Sequence, residues 1–192
     1  MSHSYGMRRL FVFVSIIFFA ALSNGFALES SQANSSGLIF EVRSGILAHD
    51  VDNLWSQSRK ESGAVINGEI ILNLINGEAF NGIIRPHVGL SVNTSGETSK
   101  FYSGLKWEHE LQNNFIVDLG IGLAVHNGEL NDNQQDKKAL GSRILFHVPV
   151  EIGYKLNNSY RIFLFFDHIS NGDMSDPNEG MDTLGLRIGY RF

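Results

Sequence analysis

The sequence predicts an all-β protein, an eight-stranded antiparallel transmembrane β-barrel preceded by a cleaved signal peptide. Three observations carry this prediction. The chain of 192 residues begins with a secretory leader, contains no cysteine, and continues with segments in which apolar and polar residues alternate. No helix-length segment after residue 27 keeps its apolar residues at a helical spacing. A chain of this length is enough for one domain of ordinary size.

The N-terminal segment has the layout of a secretory signal peptide. Arg8 and Arg9 precede an apolar run from residue 10 to about residue 22, and small residues follow at Gly25 and Ala27. A transmembrane helix is the competing interpretation, but about a dozen apolar residues fall short of the roughly 20 that cross a bilayer. We therefore predict a signal peptide at residues 1–27 and a barrel domain at residues 28–192.

Charge and cysteine content limit the partners. The formal net charge is -5, and cleavage of the leader removes two arginines and no acid. Nucleic acid is therefore not expected as a partner. An exported chain without cysteine must be stable without disulfides, so a core, a metal or a bilayer has to supply its stability.

Eight segments alternate every second residue and are separated by clusters of Asn, Gly and Asp. The predicted strands are residues 37–48, 64–75, 82–92, 99–111, 114–126, 140–156, 159–170 and 181–192. Eight strands of about ten residues each match the smallest closed barrel of the bacterial outer membrane. A soluble lipocalin-like barrel or sandwich is the alternative fold.

The connections alternate between short and long. Short links at residues 76–77, 112–114 and 157–158 alternate with long polar links at 50–63, 127–139 and 171–180, and residues 93–98 form a shorter exception. Outer-membrane barrels have short periplasmic turns and long external loops. We therefore predict a Gram-negative outer-membrane location, with the end of the seventh predicted strand at the outer leaflet.

The parity of the eighth predicted strand assigns its two faces. One face carries Leu184, Leu186, Ile188, Tyr190 and Phe192, and the other carries Gly185, Arg187, Gly189 and Arg191. We expect the apolar set to face lipid and the other set to face the lumen. A chain that ends in alternating apolar residues with a terminal Phe is also similar to the C-terminal signature of outer-membrane barrels.

The seventh and eighth strands place three reactive side chains together. His168 and Ser170 lie two residues apart on the face predicted to be external, and Asp182 has the external parity on the next strand. Such a set suits acyl transfer, with a serine nucleophile, a histidine base and an acid that orients the imidazole. Asn171, Gly172 and Asn178 are nearby candidates to stabilise the oxyanion. On residue chemistry alone, ordinary interfacial residues explain this pattern better, because His-x-Ser is a very weak motif.

A resemblance changes this balance. From residue 165 to 192 the sequence resembles the lipid A 3-O-deacylase family (PagL type), with His-x-Ser-Asn on the penultimate strand and Asn-x-Gly followed by an acid. These motifs fall on His168, Ser170 and Asn171, then on Asn178, Gly180 and Asp182. Phe146 and Phe165 are weaker aromatic matches, and the eight-stranded interpretation also fits the family's barrel.

The resemblance implies that Ser170 is the nucleophile, His168 the base, Asp182 the orienting acid, and Asn178 a residue that shapes the oxyanion site. The best-known members have Glu where Asp182 stands, so Glu179 is a fallback acid. A Pro commonly follows the loop Asn in the family, whereas here Pro177 precedes it. The resemblance thus implies an outer-membrane esterase that removes the 3-O acyl chain of lipid A.

Two other functions stay open. One is a non-catalytic small barrel with a structural, adhesive or lipid-binding role, and the other is an outer-membrane phospholipase or acyltransferase. For the leading function we expect lipopolysaccharide as substrate, membrane lipids as surroundings, and no metal or organic cofactor. The chain could also pair as a homodimer, and the sequence leaves its oligomeric state open.

Three groups of residues receive structural interpretations. We interpret His49, Asp50, Asp52 and Glu61 as parts of a solvated outer loop, because their spacing matches no metal site. Aromatic residues are assigned to the girdles at the membrane interfaces: Trp55, Trp107, Tyr102, Tyr154 and Tyr160. Charged residues on the predicted inner face should form a paired lumenal network: Glu69, Arg85, Glu108, Glu151, Arg161 and Arg187.

Overall fold

The structure is a computed structural model that describes residues 37–56 and 58–192. The signal peptide predicted for residues 1–27 lies outside the described residues. None of the described residues forms a helix long and apolar enough to cross a membrane.

Nine strands form in the described part of the chain. Their bounds are β1 Ile39–Ala48, β2 Ala64–Leu72, β3 Gly77–Ala79, β4 Gly82–Asn93, β5 Lys100–Glu110, β6 Phe115–His126, β7 Ile144–Lys155, β8 Tyr160–Ser170 and β9 Met181–Arg191. All paired strands are antiparallel, and β2 pairs with both β1 and β4, which closes the sheet into a barrel of eight long strands. The predicted fold class is confirmed.

The third strand differs from the prediction, which placed a turn at residues 76–77. The chain turns instead at Phe80 and Asn81, whose φ angles of 49° and 61° are those of a tight hairpin turn between β3 and β4. β3 thus continues the line of β2 along β4 after a break. Pro86 lies opposite this break, where its missing N–H costs no ladder hydrogen bond.

The two faces of the barrel differ in chemistry. Large apolar residues with 44 to 68% exposure cover the outside: Ile46, Ile66, Leu90, Phe101, Leu119, Leu123, Ile152, Ile162, Leu164, Leu186 and Ile188. Inside, Arg187 Nη2 lies 3.0 Å from Glu69 and 2.5 Å from Glu151, so these buried charges are paired. Pairing offsets the desolvation cost of burial. The predicted lumenal network is present except at Arg85, whose guanidinium lies over the Phe40 ring.

Aromatic residues gather at the short-turn end of the outer face. Tyr160 and Tyr190 have ring centroids 5.2 Å apart, and Phe115 and Tyr154 are 5.3 Å apart. Tyr102 was wrongly assigned to a girdle: it is fully buried on the inner face, and its hydroxyl accepts a hydrogen bond from Asn67 Nδ2 at 2.9 Å. A hydroxyl with a lumenal partner explains why this aromatic residue faces inward.

Four long loops lie at the other end, at residues 49–63, 94–99, 127–143 and 171–180. Of the residues predicted to lie in a solvated outer loop, Asp52 is exposed, whereas His49 and Asp50 are buried, and so is Glu61, which is only 1% exposed. Its carboxylate accepts hydrogen bonds from His49 Nε2 at 2.9 Å, from Thr98 N and Oγ1 at 3.0 and 2.9 Å, and from Lys138 N at 3.2 Å. Burial raises the pKa of Glu61, but these hydrogen bonds outweigh it and lower the pKa to about 2. Glu61 therefore ties the first three long loops together.

Candidate active site

The β8–β9 hairpin sets His168 opposite Asp182. The two residues are direct partners in the strand register, and side chains of such a pair point to the same face. His168 Nδ1 lies 2.7 Å from Asp182 Oδ1, a distance for a strong hydrogen bond to a carboxylate. The histidine is 3% exposed and the aspartate is fully buried. The hydrogen bond fixes the ring tautomer, leaving Nε2 as the acceptor nitrogen.

The second oxygen of Asp182 is held by the first long loop. The backbone N–H groups of Trp55 and Ser56 both donate to Asp182 Oδ2 at 2.6 Å. In addition, Val51 N donates to the Asp182 carbonyl at 3.0 Å. A buried carboxylate needs such partners, because an unpaired buried charge is costly.

Trp55 also covers the histidine. Its ring stacks on the His168 imidazole with centroids 4.4 Å apart and an interplanar angle of 10°. This contact was not predicted from the sequence, and the prediction that Trp55 belongs to a membrane girdle did not include it. No local sequence pattern could predict the contact, because the two rings meet only when the loop after β1 folds across the end of β9.

Ser170 lies on the same face as His168, two residues further along β8. It is 6% exposed. The register pairs Ser170 with Phe146 and His168 with Val148 on β7, so apolar residues border the site on that side. Gly180 closes the opposite edge in the left-handed region at φ 63°, and a Cβ there would lie 3.0 Å from His168 Cε1. Only glycine therefore fits comfortably at this point of the fourth loop.

The two asparagines of the motif hold the fourth long loop in shape. Asn171 Nδ2 lies within hydrogen-bond distance of the Leu140, Ser175 and Pro177 carbonyls, at 3.1, 2.9 and 2.9 Å. The Asn171 N–H donates to Asn178 Oδ1 at 3.1 Å. The donors of Asn171 are therefore engaged within the protein.

Gly172 differs from these asparagines. It adopts a left-handed conformation, with φ 64°. Of the residues that the structure describes, none accepts a hydrogen bond from its N–H. Gly172 lies two residues beyond Ser170, and its N–H remains available to donate a hydrogen bond to a negatively charged oxygen of a ligand.

A protein-family model matches the part of the chain that contains the site. The model of the lipid A 3-O-deacylase (PagL) family matches residues 86–191, which is more than half of the sequence and includes both strands of the site. The chain belongs to the lipid A 3-O-deacylase family. This is a family of outer-membrane β-barrel enzymes that are carboxylic ester hydrolases.

Individual relatives agree with this membership. Lipid A deacylase PagL of Bordetella bronchiseptica is 33% identical over 78 residues, which is 41% of this chain and 42% of the relative. The match thus spans less than half of that curated relative. A crystal structure of the outer membrane enzyme PagL aligns with a TM-score of 0.58 and 17% identity, covering 79% of this chain and 99% of that one. The crystal structure of the N-terminal β-barrel domain of Pseudomonas aeruginosa OprF aligns with a TM-score of 0.53 and 11% sequence identity, covering 81% of this chain and 98% of that one. Both structures show the fold.

The fallback acid is engaged elsewhere. Glu179 Oε2 accepts a hydrogen bond from Ala139 N at 2.7 Å, and Oε1 lies 2.8 Å from Lys60 Nζ. These contacts tie the fourth long loop to the third and first. Of the two acids that the lipid A 3-O-deacylase resemblance left open, Asp182 is the one in contact with His168.

Metal ligands do not cluster in the described residues. No group of three or more His, Cys, Asp or Glu side chains there could hold a metal ion. In the first long loop, His49 and Asp50 form hydrogen bonds within the loop, and Glu61 also accepts hydrogen bonds from neighbouring loops.

Proposed function

We propose that this chain is an esterase of the outer membrane that removes the 3-O-linked acyl chain from lipid A. One observation carries the proposal: the hydrogen-bonded His168–Asp182 pair lies on the outer face of the barrel with Ser170 beside it. A serine, a histidine and an acid on one surface are the parts that acyl transfer needs. Membership in the lipid A 3-O-deacylase family supplies the substrate and the position of the ester.

The reaction follows from this geometry. Ser170 Oγ attacks the ester carbonyl while His168 Nε2 takes its proton, and Asp182 stabilises the resulting imidazolium through Nδ1. When the tetrahedral intermediate collapses, the bond to the sugar oxygen breaks and His168 returns the proton to that oxygen. Water then attacks the acyl-serine by the same proton route, which releases the fatty acid and restores Ser170.

The Gly172 N–H is the proposed donor to the negative oxygen of the tetrahedral intermediate. A preorganised donor of this kind is worth about 3 kcal/mol in transition-state stabilisation. Asn171 and Asn178 have a supporting role, because their hydrogen bonds shape the loop that presents Gly172. This assignment makes Asn178 a shaping residue of the oxyanion site.

The position of the site suits an amphiphilic substrate. Towards the membrane interior, the same outer face has an apolar groove lined in part by Ile46, Ile152, Ile162, Leu164 and Leu186. Acyl chains can stay in contact with such a surface while the ester reaches Ser170 at the loop end. The substrate therefore enters laterally from the membrane, and its sugar and phosphates remain among the external loops.

Mass spectrometry of lipid A from cells that express each variant tests the proposal. Wild type should remove one hydroxyacyl chain, and Ser170→Ala should remove none, with insertion of both barrels checked. Ser103→Ala is a matched control, because Ser103 is an exposed serine on the outer face of β5. Unchanged lipid A with inserted wild type would contradict the proposal and favour the non-catalytic barrel. Cleaved phospholipid in its place would favour a phospholipase.

A further inference from the structure

The first long loop contacts the proposed esterase site directly. It leaves β1 after Ala48, and residues 51–56 reach the outer end of β9. Trp55 and Ser56 there donate both of their backbone N–H groups to one oxygen of Asp182, while the Trp55 ring lies flat on His168. The loop thus contacts both members of the histidine–acid pair from outside the β8–β9 hairpin.

We propose that Trp55 and Ser56 are positioning residues of this site, an inference that rests on the proposed function. An aspartate side chain can turn about two bonds, so a single contact with His168 would leave its carboxylate free to rotate. Two N–H donors on Oδ2 fix the plane of the carboxylate and leave Oδ1 directed at Nδ1. The indole restricts the imidazole in the same way, through stacking.

The base of the loop is itself fixed. Asp50 Oδ2 accepts hydrogen bonds from Lys60 N and Glu61 N at 2.6 and 2.9 Å. Asp52 Oδ1 accepts one from Arg59 N at 2.6 Å. These bonds join the two ends of the loop, so the segment with Trp55 and Ser56 starts from a closed base. Support of this kind lets a loop hold a reactive group to within a fraction of an ångström.

A positioning role can be distinguished from simple shielding. If the loop positions His168, its loss slows every reaction in which Ser170 must be deprotonated, including reaction with a small fluorophosphonate that needs no lipid-binding surface. If the loop only shields the site or shapes substrate binding, the reaction with the small reagent keeps its rate and KM changes instead.

Four variants separate the contacts. Ser56→Pro removes one N–H donor to Asp182, and Ser56→Ala keeps it. The alanine variant is a fair control, because Ser56 Oγ has no hydrogen-bond partner among the described residues. Trp55→Ala removes the stacked ring, and Trp55→Phe keeps a flat ring in its place.

The measurements are the rate of covalent modification of Ser170 by an alkyl fluorophosphonate, followed by intact mass, and kcat and KM on lipid A. Heat-dependent gel mobility checks that each barrel is folded. We expect Ser56→Pro and Trp55→Ala to lower the modification rate and kcat by about 10- to 100-fold, since small misplacements have effects of this size. KM should change little, and Ser56→Ala and Trp55→Phe should stay close to wild type.

Wild-type modification rates in folded Trp55→Ala and Ser56→Pro would overturn the positioning role. If Ser56→Pro does not fold, the Trp55 pair decides alone: equal rates for Trp55→Ala and Trp55→Phe would overturn the role of the ring. Failure of the proposed function gives different results. Ser170 of the wild-type protein is not modified at all if the barrel is non-catalytic, and it is modified without turnover of lipid A if the substrate is another lipid.

Discussion

The β8 strand takes part in two histidine–aspartate pairs on opposite faces of the barrel. Outside, His168 lies 2.7 Å from Asp182, and inside, His147 Nε2 lies 2.8 Å from Asp167. The inner aspartate also binds Lys100 Nζ at 2.7 Å, and Thr183 Oγ1 donates to it. The outer histidine has Ser170 beside it on a lipid-facing surface.

A histidine–aspartate pair alone is not enough for acyl transfer, which also needs a nucleophile. The inner pair is closed, because its acid neutralises a buried lysine within a filled lumen. The outer pair shares its face of β8 with Ser170, which lies two residues beyond His168. If the proposed mechanism holds, mutations on the outer face should change activity, and mutations on the inner face should change stability.

The largest expected difference is in turnover. Ser170→Ala and His168→Ala should each lower kcat/KM on lipid A by about 10⁴- to 10⁶-fold, since nucleophile and base act as one unit. His147→Ala should keep kcat/KM within about threefold, because its ring faces the lumen. Steady-state kinetics of purified, folded variants checks both. A dead His147→Ala with a folded barrel would break the distinction between the two pairs.

The acid should matter less than the nucleophile. Asp182→Asn keeps the shape of the side chain but favours the wrong tautomer of His168, so we expect kcat to fall by about 10²- to 10⁴-fold. Glu179→Gln is the matched control, because Glu179 binds Lys60 and Ala139 instead. A larger loss in Glu179→Gln than in Asp182→Asn would reverse the assignment of the acid.

Much of this arrangement could be predicted from sequence. Alternation along β8 and β9 assigns their faces, and strands joined by one loop pair with each other, so His168, Ser170 and Asp182 fall together on the outside. Local patterns of this kind need no knowledge of the rest of the chain.

Contacts made by the loops could not be predicted. Trp55 and Asp182 are 127 residues apart, and the donor is a backbone N–H that every residue except proline carries. Glu61 has the composition of a solvated loop residue, and only its partners on other loops explain its burial. The prediction of a turn at residues 76–77 was wrong for a related reason. An Asn-Gly pair favours a turn locally, whereas the position of the turn here depends on how the chain pairs with β4.

The inner pair should show its importance in stability. Asp167→Asn removes the acid beside Lys100, which is 4% exposed, and an unpaired buried charge costs about 3 kcal/mol. Urea unfolding in detergent micelles measures the loss. Lys155→Gln, which breaks the exposed pair with Glu110 and keeps the Glu110 carboxylate near Arg161, should cost no more than about 0.5 kcal/mol. Equal losses in the two variants would show that the inner pair adds no special stability.

The smallest effect concerns acidity and the long loops. The pKa of Glu61 is lowered to about 2, so its charged form favours the folded loops above its ordinary pKa of 4.5. That contribution is lost as the pH falls from about 4.5 towards 2. Hydrogen exchange at residues 49–63 should therefore rise over this range after correction for the intrinsic rate. Glu61→Gln should remove most of this pH dependence, and an unchanged profile in that variant would assign it to other groups.

Capture of an acyl-enzyme would identify the nucleophile directly. Purified protein is mixed with lipid A, quenched in acid within one turnover and digested, and the peptides are analysed by mass spectrometry. We expect a hydroxyacyl group attached to Ser170, and no such adduct in Ser170→Ala. An adduct on another residue, or lipid A hydrolysis that continues at the wild-type rate in Ser170→Ala, would contradict this expectation.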